Sequence, residues 1–148
     1  MVNELNVEPG GELVLTGVTA SASESSYVIF SEGDLTITGC TLSDLYYTID
    51  DETLSNLHGG VIAASGSLTV EDVEITSDGL GLSAYGCDLS VDGLTVVGGQ
   101  YGIQMAEVEG TLSDVTVTDM IMAFVIGDST VTLVDASVER VNWTLWAV

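Results

Sequence analysis

The sequence predicts an all-β fold, a parallel β-solenoid of about six coils wound from a single chain. Three observations predict it. Apolar residues return at a nearly constant interval of 21–22 positions. Within each interval they alternate with polar residues, the period-2 signature of strands. No segment carries helical spacing of useful length. A fixed repeat of this size, with three short strands in each, describes coils that stack like residues on one another in the interior.

The elements follow in order. Leu13, Leu15, Val18 and Ala20 lead by a step of 22 to Leu35, Ile37, Cys40 and Leu42. Four columns run on from there: Leu68, Leu89, Gly110 and Val131; Val70, Val91, Leu112 and Leu133; Val73, Leu94, Val115 and Ala136; Ile75, Val96, Val117 and Val138. A fifth column, in the first strand of each coil, reads Val28, Val61, Leu82, Ile103, Phe124 and Leu145, with every step from residue 61 onward taken as 21. Between Val28 and Val61 the step is 33, so the second coil carries a 12-residue insertion, a loop at about residues 46–58. The three strands of one coil are Leu82 to Ala84, Leu89 to Val91 and Leu94 to Val96. The residue before each third strand is Gly17, Gly39, Asp72, Gly93, Asp114 or Asp135. That composition predicts a corner in the left-handed backbone region, open to Gly and less readily to Asp.

Composition narrows the function. At 148 residues the chain is one domain by length, residues 1–148. One basic residue, Arg140, stands against 23 acids, for a net charge of −22. Nucleic acid and anionic membrane surfaces need cations to replace phosphate counterions, so neither is an expected partner. No apolar run approaches the roughly 20 residues that span a bilayer, and no membrane insertion is expected. The acidity suits solubility in high salt or a setting rich in divalent cations. "MVNELNVEPGG" has no signal-peptide pattern, and "VNWTLWAV" stops partway through a coil. The expectation is a mature or trimmed chain, a fragment or module of a longer extracellular or cell-surface protein.

The 21-residue coils, the "LTV-x-x-V-x-I" core and the Gly/Asp corner resemble the right-handed parallel β-helix of pectate-lyase-like proteins. The resemblance covers residues 5 to 148. It implies right-handed winding. It also implies that any polysaccharide lyase or hydrolase activity would use the outer face of the first strands, with Asp residues, Ca²⁺ and a basic residue. The outward positions there are Ile29, Ile62, Ser83, Gln104, Val125 and Trp146, which supply neither acid nor base. Arg140 falls in the loop after a third strand, with no acidic cluster stacked beside it. The chain is therefore expected not to be an enzyme.

Other residues invite attention. Ile29, Ile62 and Val125, with Trp143 and Trp146 near the last edge, form a candidate interface, since contiguous apolar surface marks a covered or binding face. The loop "DLYYTIDDETLSNLHGG" holds Tyr46, Tyr47, Asp50, Asp51, Glu52 and His58. Its tyrosines could stack on a sugar ring. Asp50, Asp51 and Glu52 could give oxygen ligands to Ca²⁺, though not at EF-hand spacing. The competing reading is a surface loop packed down by Ile49, Leu54 and Leu57. Thr36, Thr69, Ser90, Thr111 and Thr132 form an outward ladder, and Thr41, Glu74, Thr95, Thr116 and Ser137 another, a pattern similar to ice-binding solenoids but broken by Glu74, Val97 and Glu139. Cys40 and Cys87 sit two coils and a corner apart, beyond disulfide reach, and are expected to be free thiols.

The resulting expectation is a non-catalytic structural or adhesive module that self-associates through its first-strand face or its coil ends. The alternative is a carbohydrate-binding or polysaccharide-active module working through the loop at 46–58. Ice binding is a minor alternative. No cofactor is expected apart from Ca²⁺, and the expected partners are a glycan or another copy of the chain.

Overall fold

The computed structural model describes residues 5–22, 28–44 and 62–147. The described residues contain sixteen strands and no helix. The first coil gives β1 (Leu5–Val7), β2 (Glu12–Thr16) and β3 (Thr19–Ala22), and the second β4 (Ile29–Ser31), β5 (Asp34–Thr38) and β6 (Thr41–Asp44). The third gives β7 (Ile62–Ala64) and β8 (Leu68–Ser77), the fourth β9 (Leu80–Tyr85) and β10 (Asp88–Val97), the fifth β11 (Tyr101–Ala106) and β12 (Glu109–Thr118). The sixth gives β13 (Met122–Gly127), β14 (Thr130–Val134) and β15 (Ser137–Glu139), and β16 (Trp143–Ala147) begins another turn.

The strands form two parallel sheets, so the chain is a β-solenoid of about six turns. First strands make a seven-stranded sheet in the order β1-β4-β7-β9-β11-β13-β16. The second and third strands share the other sheet, whose main path is β14-β12-β10-β8-β5-β2. In β8, β10 and β12 the second and third strands run together as one ten-residue strand, bent at the predicted corner. All six predicted corner residues have positive φ: Gly17, Gly39, Asp72, Gly93, Asp114 and Asp135. Two further sets of left-handed corners had no sequence expectation. Gly86, Glu107 and Asp128 turn the chain before the second strand, and Gly98, Asp119 and Arg140 after the third.

The columns of the second sheet stack as expected, Leu35 on Leu68 on Leu89, and Leu42 on Ile75 on Val96. In the middle coils they are buried, and together they form one core cluster. Gly110 interrupts the first column for a steric reason: a Cβ there would collide with the Leu89 carbonyl. Two inward serines, Ser31 and Ser77, are buried and donate their hydroxyls to the Gly33 and Leu80 carbonyls. This satisfies groups that would otherwise be costly to bury.

One register differs from expectation. Ile62 pairs with Leu82, and Ile29 with Ile62. The first-strand column is thus Ile29, Ile62, Leu82, Ile103, Phe124 and Leu145, and the step from Ile62 to Leu82 is 20 rather than 21. The physical cause is a shorter corner: Ile62 lies six positions before Leu68, whereas Leu82 lies seven before Leu89. Ile29 and Ile62 are fully buried core residues, so their assignment to an outward interface is corrected.

Candidate functional surfaces

The loop residues Tyr46, Tyr47, Asp50, Asp51, Glu52 and His58 lie outside the described residues, and so does Val61. Among the described residues no group of three His, Cys, Asp or Glu side chains is arranged to hold a metal.

The column that alternates with the first-strand core reads Phe30, Ala63, Ser83, Gln104, Val125 and Trp146. Ser83 and Gln104 were expected to face solvent, yet they are only 2% and 5% exposed. The Gln104 Oε1 atom is buried without a hydrogen-bond partner. Val125 is half-buried and Trp146 is 52% exposed. The sheet's outer side therefore changes along the stack, from covered at Ser83 and Gln104 to open at Trp146.

A shallow groove of about 340 Å³ runs along the corner between the second and third strands. It is lined in part by Thr41, Asp72, Glu74, Gly93, Thr95 and Asp114. Gly93 makes the groove possible. Its φ is +77°, and a Cβ would approach the Asp72 carboxylate oxygen to 2.7 Å. The outward hydroxyls stack in the expected ladders beside it, Thr36 on Thr69 on Ser90 on Thr111 on Thr132. Some carboxylates are tied down across coils: Ser67 donates to Asp34 at 2.6 Å and Ser113 to Asp92 at 3.2 Å.

Arg140 is less isolated than the sequence suggested. It sits one coil above Asp119 and makes a two-pronged contact, Nε to Oδ1 at 2.5 Å and Nη2 to Oδ2 at 2.7 Å. Nη2 also donates to Thr118, and Nη1 lies 3.4 Å from Glu139. Hydrogen bonding from Arg140 holds the Asp119 carboxyl below its ordinary pKa, and the same contact raises that of Arg140. The signal was present in the sequence, since 119 and 140 differ by one 21-residue step. Both side chains are exposed, so the pair pins a surface corner and contributes little net stability.

Both cysteines are free, as expected, and both are buried. Burial pushes the Cys87 thiol up from 9.0 to about 11, with the Asp88 charge adding to it and a backbone hydrogen bond at Tyr85 opposing. A buried protonated thiol is a poor nucleophile, so Cys87 is a structural residue. Tyr85, whose hydroxyl donates to Glu107 at 3.3 Å, is raised by that carboxylate's charge and by the hydrogen bond.

The last turn presents a different surface. Met122, Trp143, Leu145 and Trp146 line an open cavity of about 340 Å³. Trp143 and Leu145 are 65% and 53% exposed. Of the expected interface residues, Val125, Trp143 and Trp146 fall at this end of the stack. Ile29 and Ile62 do not. Comparison of the chain with protein-family models, curated proteins and solved structures finds no match.

Proposed function

We propose that the chain is a non-catalytic structural module of a secreted or cell-surface protein, a rigid spacer or adhesive rod of the right-handed, pectate-lyase-like type. The observation that carries this reading is the continuous parallel register from Leu5 to Ala147 across seven first strands. At about 4.8 Å per coil, six turns make a stiff rod roughly 29 Å long. Such a rod holds its two ends at a fixed separation with no hinge between them. The net charge of −22 gives it solubility and mutual repulsion, suited to a salty or cation-rich exterior. The alternating first-strand column supports the non-catalytic half of the reading. Phe30, Ala63, Ser83, Gln104, Val125 and Trp146 offer neither a general acid nor a general base at the place where the resemblance would put chemistry.

Two measurements test it together. Incubation with polygalacturonate, alginate and neutral glycans, with Ca²⁺ and with chelator, is expected to yield no new reducing ends or unsaturated products. Small-angle scattering is expected to give a rod of constant length in both conditions. Turnover of any of these polymers, or a length that changes with Ca²⁺, overturns the reading.

A further inference from the structure

We infer that the stack is built for concentrated salt: its stability keeps rising with ionic strength up to about 1 M, because carboxylates stand in register on neighbouring coils of the second sheet. This coupling is a property of the fold and does not depend on what the rod does.

Within the strands, charge is confined to one sheet. The seven first strands contain no charged residue. The second sheet carries acids, and its pairing sets like charge against like. Glu12 pairs with Asp34, Glu71 with Asp92, and Asp88 with Glu109. Strand pairing holds the two backbones of each couple about 4.8 Å apart. All six side chains are exposed. Like charges directly opposite one another destabilise a sheet. The unfolded chain holds none of these pairs in register, so the repulsion opposes folding.

Two of the pairs are partly relieved. The Ser67 hydroxyl donates to Asp34 from the coil opposite Glu12, and Ser113 donates to Asp92 from the coil opposite Glu71. Among the described residues no side chain donates to Asp88 or Glu109, so their repulsion is the least relieved. The ion pairs among the described residues are those of Arg140 with Asp119 and Glu139. Added salt therefore has little attraction to weaken and much repulsion to relieve.

Distance decides how much salt this takes. Repulsion across the whole rod acts over tens of ångströms and is screened once the Debye length falls to about 10 Å, near 0.1 M. A pair about 4.8 Å apart still feels its partner there, and is screened only as the Debye length approaches about 3 Å, near 1 M. Diffuse ions suffice for this, whatever their identity.

The experiment is urea unfolding, followed by circular dichroism, in KCl from about 0.01 M to about 1 M. Urea is uncharged, so salt varies independently of denaturant. Glu109→Thr and Glu74→Thr remove the same charge from the same outer face. Glu109 faces Asp88, whereas Glu74 lies between Thr41 and Thr95. The urea midpoint of the unaltered chain is expected to rise through the whole range. Glu109→Thr is expected to lose about a third of the rise above about 0.1 M, one pair of the three. Glu74→Thr is expected to keep that part of the rise and lose only some of the rise at lower salt. Should Glu109→Thr fail to fold, Asp88→Thr breaks the same pair. NaCl is expected to match KCl at equal concentration. Three results each overturn the inference: a midpoint that levels off above about 0.1 M, equal losses of slope in the two variants, or a rise that depends on which cation is added. Glycan turnover would remove the spacer reading and leave this coupling untouched.

Discussion

Ile103 and Leu145 occupy the same column two coils apart, one fully buried and the other half exposed. Both are aliphatic residues of first strands, β11 and β16, at equivalent register positions. Their neighbouring coils differ, since Ile103 has Leu82 and Phe124 on its two sides and Leu145 pairs with Phe124 on one. In a solenoid, burial belongs to the stack rather than to the residue. A middle coil covers an apolar residue on both sides, and among the described residues β16 has a neighbour on one side alone.

The sharpest way to break this comparison is to truncate both members. Ile103→Ala should cost about 2–5 kcal/mol, the usual range for a buried aliphatic truncation that leaves a cavity. Leu145→Ala should stay within about 0.5 kcal/mol at concentrations where the chain is monomeric, as surface changes do. Urea titration reads both, and equal losses would mean that the last coil is as well packed as the fifth.

A second, smaller effect distinguishes the middle of the stack by pH. Cys87 keeps its proton in the folded chain up to about pH 11, whereas the unfolded chain releases it near pH 9.0. Its contribution is complete below about pH 9 and is lost as pH rises through 11, a decline of about 2–3 kcal/mol. Cys87→Ala should flatten that part of the pH–stability curve. A curve of unchanged slope would contradict the burial of the thiol.

The smallest effect belongs to the last coil. Arg140→Ala removes the contact with Asp119, and the melting temperature should barely move. Asp119 has its pKa lowered, so what little the pair contributes is present at neutral pH and fades as pH falls into the carboxylate range. Salt should erase it as well. A large drop in melting temperature would show that this corner holds the last coil in place.

The second sheet was legible in the sequence because its phase is fixed twice. Alternation sets which residues point inward, and a Gly or Asp corner at a constant offset fixes the register. Asp72, Asp114 and Asp135 adopt the left-handed conformation that their position required. The first sheet was less legible. Val28-Ile29 and Val61-Ile62 are adjacent apolar pairs, so alternation cannot choose between the two phases. The shorter corner before Leu68 shifts the register by one, and only the pairing of Ile62 with Leu82 reveals it. The burial of Ser83 and Gln104 had no signal either, because a polar residue in outward phase reads as solvated. The Asp119–Arg140 contact could have been found by applying the 21-residue step to charged positions as well as apolar ones.

The uniform step between coils four, five and six also bears on how such a chain can change over generations. Tyr85 pairs with Ala106, and Glu107 follows Ala106 as Gly86 follows Tyr85. Removing residues 86–106 would join Tyr85 directly to Glu107 and leave the remaining columns in phase. A duplication of the same length would lengthen the rod by one turn. Deletions of other lengths within a strand would shift the side chains that follow, whereas a corner or loop absorbs them, as the steps of 20, 22 and 33 residues do. The coil, rather than the residue, is the unit in which insertions and losses are tolerated, and rod length is free to drift while the cross-section stays constant.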